Sequence, residues 1–311
     1  MQQITDTILM IRPVAFRMNE ETAVNNYFQE KMLLDDKAVN AQAQKEFDDF
    51  VTKLTAAGIN VLVENDRKET NTPDSIFPNN WISFHQNGTV ALYPMFAKNR
   101  RRERREDVLD NLEKKGFVIK NIVDYTAAEK ENIFLEGTGS LLLDRVNRKA
   151  YCALSPRAHE DLLIEFCEDF EYTPVVFNAY QTVNKNRLPI YHTNVLMALG
   201  EKEAIICLDA IDDKKEKKNV ISHLKQDHKD IITITETQMH QFAGNMLQLR
   251  NSNGKKIMVM SQAAFKSLDS SQINQIEKQN TILYSDLHVI ETCGGGSARC
   301  MMAEVFLPKE E

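Results

Sequence analysis

NMLQLRNSNGKKIMVMSQAAFKSLDSSQINQIEKQNTILYS, residues 245–285, is the stretch whose pattern decides the fold. Two apolar runs, MLQLR and KIMVM, flank the turn formers Ser252, Asn253 and Gly254, the signature of a β-hairpin. Residues 261–279 then carry apolar side chains at helical spacing, and TILYS closes the stretch as a short β-branched strand. The order is strand, strand, helix, strand.

The same order recurs outward from this unit. Amphipathic helices are predicted near 37–57, 101–115, 157–171, 213–226 and 261–279, followed by the strands INVLVE, FVIKNIV, TPVVFN, DIITIT and TILYS. Hairpin pairs WISFH/TVALYP, SLLLD/KAYCAL and NVLMAL/EAIICL precede three of the other helices. The fifth pair would join the C-terminal RCMMAEVFL to the N-terminal ILMIRP, and that pairing closes a ring. The expected fold is therefore α/β: a five-bladed, pseudo-symmetric propeller of ββαβ units around a central channel, one domain over residues 1–311. Because the units share element order and negligible identity, a generic mixed-sheet α/β protein is the alternative.

Composition narrows the function. Of 311 residues 42% are hydrophobic and 27% charged, the balance of a chain that buries a large core. A net charge of −7 argues against a general binder of nucleic acid or membrane surface and for a small ligand. No apolar stretch reaches the ~18 residues of a membrane span, and no basic segment precedes the first apolar one, so a cytoplasmic protein is expected. Five scattered cysteines without a C-x-x-C pair indicate neither a disulfide framework nor zinc, and no metal or cofactor is implied. A homodimer is among the states the sequence allows.

Asn80, Glu136, His192, Asn245 and Cys300 are separated by 56, 56, 53 and 55 positions, so each falls at the same phase of its unit. In a ring, equivalent positions converge, which would bring a sulfur, an imidazole and a carboxylate onto one substrate. Cys300 follows Gly294-Gly295-Gly296 and Arg299, a loop whose amides and charge favour a thiolate. His192 stands ahead of an apolar strand, where its ordinary pKa suits acid/base work. Glu136 lies between apolar residues and glycines, a setting for binding NH-rich groups. The run from Thr72 to Trp81, with Asp74, Phe77, Asn79 and Asn80, reads as a binding wall, and the arginines at 100–105 read as a solvated helix face from which one or two could reach in to clamp an α-carboxylate. Cys293 to Arg299 also has the C-x5-R spacing of cysteine phosphatases; the β-like MMAEVFLP after Arg299, in place of a helix, argues against that reading.

These motifs resemble the guanidino-group-modifying superfamily, the five-bladed penteins that include arginine deiminase, dimethylarginine dimethylaminohydrolase and the amidinotransferases. PDSIFPNN, LEGTGS, HTN and GGGSARCMM carry the resemblance, from about residue 70 to the C-terminus. It implies Cys300 as nucleophile, His192 as acid/base and Glu136 as substrate-binding carboxylate. It also implies a pocket aspartate at Asp74 and arginines for the substrate carboxylate at Arg157 and Arg101. Where relatives acting on guanidinium have carboxylates, this chain has Asn79, Asn80 and Asn194. An amide both donates and accepts, which suits a neutral ureido group better than a cation. The motif set thus resembles the citrulline-utilisation hydrolase branch, with citrulline hydrolysed to ornithine, ammonia and carbon dioxide. An arginine deiminase or dimethylargininase activity, and a non-catalytic binding module on the same fold, are the alternatives.

Overall fold

A computed structural model describes residues 1–310. Strand β1 (Thr7–Arg12) runs parallel to β2 (Asn60–Asn65), with Leu9 opposite Leu62. Between them helix α1 (Asp36–Ala56), N-capped by Asp35, buries Val39, Ala43, Phe47, Phe50 and Leu54. Each phenylalanine fully removed from water contributes roughly 1.5–3 kcal/mol, and this apolar face fixes the helix on its sheet. The next sheet is β3 (Ile82–Phe84), β4 (Thr89–Leu92) and β5 (Asn121–Asp124), and the third is β6 (Leu142–Asp144), β7 (Lys149–Leu154) and β8 (Thr173–Asn178). A separate hairpin, β9 (Tyr180–Val183) with β10 (Asn186–Pro189), interrupts the series and carries no sequence expectation. Then come β11 (Met197–Leu199), β12 (Glu203–Ile206) and β13 (Asp230–Thr233), followed by β14 (Leu247–Arg250), β15 (Lys256–Ser261) and β16 (Thr281–Ser285).

The last strand, β17 (Ala303–Glu304), returns to β1 antiparallel, pairing Glu304 with Ile8 and Ala303 with Leu9. Among the described residues the strands thus form five three-stranded sheets, each with one antiparallel and one parallel pairing on its middle strand. The fold is mixed α/β with small sheets. Strand β17 packs on β3, and β11 packs on both β6 and β14. Gly88 and Gly254 take left-handed backbone at φ +86° and +78° in the hairpin turns, a conformation a side chain would strain.

Three predicted helices are shorter than their periodicity suggests, and the one expected at 157–171 spans Glu160–Asp169. The helix expected at 101–115 begins at Glu106, because Lys98–Glu103 forms a 3-10 helix. The one expected at 261–279 divides into Gln262–Ser267 and Ser270–Glu277, where Asp269 N-caps the second piece with a capping box. No helix among the described residues is long and apolar enough to cross a membrane.

Candidate active site

Each first strand of a sheet is preceded by a tight turn carrying one of the five residues of common phase. Asn80 ends Pro78–Asn80, Glu136 and His192 precede the single turns Gly137–Ser140 and Thr193–Leu196, Asn245 stands just before β14, and Cys300 lies in Ala298–Met301. All five are at most 3% exposed. The turn at 137–140 packs on those at 78–80 and 193–196, and the turn at 298–301 packs on 78–80. Gly139 makes the approach possible: a Cβ there would meet Asn80 Nδ2 and come within 2.9 Å of the His192 ring.

Cys300 and His192 line one cavity together with Asp74, Phe77, Asn80, Arg100, Arg157 and Tyr191. His192 Nε2 lies 2.7 Å from Glu136 Oε2, and Glu136 Oε1 accepts from the Phe96 amide at 3.0 Å. Arg157 and Arg100 approach the same carboxylate at 3.6 and 4.0 Å. Burial alone would push the Glu136 carboxyl up; Arg157, the bond from His192 and Arg100 outweigh it and hold the carboxyl at about 2. Burial likewise pulls His192 down to about 4, against the pull of Glu136 and assisted by the two arginines. A carboxylate only accepts, so the neutral ring carries its proton on Nε2 and leaves Nδ1 as the basic nitrogen.

Around the sulfur, Asn194 Nδ2 and Asn245 Nδ2 lie at 3.4 and 3.2 Å from Cys300 Sγ. Asp74 Oδ2 accepts from Asn19 at 2.7 Å and Thr22 at 3.1 Å, while Oδ1 is buried without a partner. Burial raises the Asp74 carboxyl, partly offset by Arg100. Arg100 is held by Glu103 through Nε at 2.8 Å and Nη2 at 2.9 Å, and its Nη1 donates to Asn80 Oδ1 at 2.8 Å. That last bond sets a chain of orientations. With Asn80 Oδ1 turned to Arg100, Asn80 Nδ2 donates to Asn79 Oδ1 at 3.1 Å, and Asn79 Nδ2 is left buried with no acceptor.

A sequence profile described as N,N dimethylarginine dimethylhydrolase, eukaryotic, matches residues 12–307. The chain belongs to this dimethylarginine hydrolase family. No curated protein sequence is significantly similar to it. Among solved structures, the chain is similar to apo ArgZ, an arginine dihydrolase from the ornithine-ammonia cycle in cyanobacteria, at 15% identity and a TM-score of 0.73. That match covers 98% of this chain and 41% of ArgZ, so the chain spans less than half of that protein's length. The N-terminal domain of an ArgZ variant, covalently bound to a reaction intermediate, matches at 17% identity and TM-score 0.71, covering 97% of this chain and 99% of the domain. A dimethylarginine dimethylaminohydrolase variant, as an adduct with S-methyl-L-thiocitrulline, matches at 13% identity and TM-score 0.63, covering 97% of this chain and 99% of that one. At such identities the likeness is one of fold. With the family match it places the dimethylarginine hydrolase-family chain in the guanidino-group-modifying pentein superfamily.

Of the residues the sequence of this family member singled out, Cys300, His192, Asp74, Phe77, Asn80 and Arg157 reach the cavity. Glu136 stands against His192, Asn194 against the sulfur, and Asn79 against Asn80. Arg101 does not reach it: its Nε donates to the Met95 carbonyl at 3.0 Å and lies 3.4 Å from Glu129. The expected solvated helix face is a 3-10 turn instead, which repeats every three residues and so turns Arg100 and Glu103 inward together, 2% and 3% exposed. Sequence reasoning also missed Asn19, Asn26 and Tyr191, whose ring lies 4.8 Å from the Arg157 guanidinium carbon.

Proposed function

We propose that the chain hydrolyses the ureido group of citrulline, giving ornithine, ammonia and carbon dioxide through a covalent intermediate on Cys300. The observation that carries this reading is a pair of unpartnered buried atoms, the acceptor Asp74 Oδ1 on a residue lining the cavity and the donor Asn79 Nδ2 on the neighbour of cavity-lining Asn80. A ureido group offers N–H to the first and C=O to the second, whereas a guanidinium has no acceptor. A buried amide N–H left without a partner costs about 1–3 kcal/mol, and a ureido oxygen would recover it.

In this mechanism neutral His192 takes the thiol proton at Nδ1 as Cys300 attacks the ureido carbon. The bond from that carbon to the δ-nitrogen breaks as His192 returns the proton to the nitrogen, freeing ornithine and leaving a carbamoyl thioester on Cys300. Water, deprotonated by the same ring, then breaks the carbon–sulfur bond, and the proton goes back to sulfur. The released carbamate falls apart to ammonia and carbon dioxide. Arg157, beside Asp74 and Glu136, is the candidate partner for the substrate carboxylate. The same reading takes the five sheets as blades of one five-bladed, single-domain propeller with the five turn residues at its axis.

A second reading, hydrolysis of arginine or methylated arginine, is favoured by the family name, by the arginine dihydrolase and dimethylarginine hydrolase structures of like fold, and by the two buried carboxylates. A panel of citrulline, arginine and asymmetric dimethylarginine separates the two. Ornithine and ammonia from citrulline support the first; turnover of arginine or dimethylarginine with citrulline untouched replaces it. A Cys300→Ala protein with full activity ends both.

A further inference from the structure

We propose that Asn245 is a positioning residue whose amide holds the Cys300 sulfur in its attacking orientation and steadies the charge that forms there as its proton leaves; this rests on Cys300 being the nucleophile. Asn245 is fully buried and fixed on three sides. Its Oδ1 accepts from the Arg299 backbone amide at 3.0 Å, and its Nδ2 donates to the Asn194 carbonyl at 2.8 Å and lies 3.2 Å from Cys300 Sγ.

A backbone N–H can only donate and a backbone carbonyl can only accept, so these two bonds decide which end of the amide is which. The NH2 group therefore faces the sulfur. One of its hydrogens is taken by Asn194, and the other has only the sulfur to meet. A donor aimed at sulfur favours the charged thiolate, because bonds to an ionised acceptor are about twice as strong as neutral ones. The preceding residue enforces this seat: at Gly244 a Cβ would collide with the Val195 carbonyl and lie 2.7 Å from the Leu196 backbone, so the chain passes flush against the segment that carries Asn194. His192 is not available as a cationic partner for the sulfur, since its ring is committed to Glu136 and neutral. Asn245 thus supplies part of what an imidazolium supplies to other reactive cysteines, and it anchors the Arg299-Cys300 backbone at the same time.

Asn245→Leu is nearly isosteric and removes the N–H facing the sulfur without adding a charge beside it; Asn245→Ser is the second variant, too short to reach it. Iodoacetamide labelling of Cys300 against pH, corrected with Cys300→Ala, is measured beside steady-state kinetics. The expected result is a labelling profile displaced to higher pH by about one unit or more, with kcat down about 10–100-fold and KM within about twofold. A merely structural asparagine would lower stability without moving the profile. Unchanged labelling and kcat in either folded variant overturn the proposal. Wild-type protein that ignores citrulline would sink the proposed substrate while leaving the labelling comparison to decide Asn245.

Discussion

Replacing Glu136 by glutamine removes one charge from a pocket where every neighbour depends on it. The carboxylate is fully buried, lies 2.7 Å from His192 Nε2, and is approached by Arg157 at 3.6 Å and Arg100 at 4.0 Å. Removing one partner of a buried ion pair costs about 3–5 kcal/mol. Glutamine keeps one acceptor oxygen for the Phe96 amide or the imidazole, which places the expected loss near the lower end, about 3 kcal/mol. At about 2–4 °C per kcal/mol that lowers Tm by roughly 6–12 °C. Activity falls for a separate reason. A glutamine N–H presented to Nε2 drives the ring proton to Nδ1, the nitrogen that must accept the thiol proton, so kcat should drop about 10²-fold or more. Thermal melting and steady-state kinetics on one preparation check both figures. A Tm within about 1 °C and a kcat within about threefold of wild type would refute the claim that this carboxylate holds the imidazole.

Further outcomes follow from the same geometry. Gly139→Ala places a methyl against Asn80 Nδ2 and 2.9 Å from the His192 ring, and kcat should fall about 10²-fold with the secondary structure intact by circular dichroism. His192 sits at about 4 instead of 6.5, so its contribution to stability is whole above 6.5 and is lost as pH falls through 4. The acid limb of kcat/KM should then have its midpoint near 4, and a midpoint near 6.5 in the pH–rate profile would contradict a buried neutral ring. Arg100→Met strands the Glu103 carboxyl, which burial already pushes up to about 7. Destabilisation of about 3–5 kcal/mol is expected above that value, where the orphaned carboxyl would have to carry its charge. It should shrink as pH falls to about 7, because below it the buried carboxyl is protonated with or without Arg100; denaturant titrations at about pH 9 and about pH 6 giving equal deficits would count against it.

How far the site could be read beforehand depended on the kind of order each residue obeys. Strand β16 and helix Lys214–Gln226 coincide closely with their periodic patterns, since each shows one apolar face to one neighbour. The near-equal spacing of Asn80, Glu136, His192, Asn245 and Cys300 was visible because each occupies the turn into a first strand. Arg100 was hidden. In a run of five arginines among six residues nothing distinguishes the one turned inward, and only the three-residue repeat of the 3-10 turn selects it with Glu103. Asn19 and Asn26 were equally silent, because they are brought in by packing of 19–29 over the Gly294–Gly295 carbonyls and not by any local pattern. Strands β9 and β10 escaped notice as a polar, half-exposed hairpin without the apolar alternation that marks a covered face.

The two-residue strand β17 begins three positions after Cys300 and is tied to β1, whose residues come from the far end of the sequence. The join does not end with that strand: the Val305 amide donates to the Thr7 carbonyl at 2.9 Å, the Thr5 hydroxyl donates to the Val305 carbonyl at 2.8 Å, and the amide of residue 310 donates to the Gly116 carbonyl at 2.8 Å. The nucleophile is thus buckled between the two extremities of the polypeptide, so clipping residues 305–310 should loosen the sulfur's mooring while every reacting group is left in place.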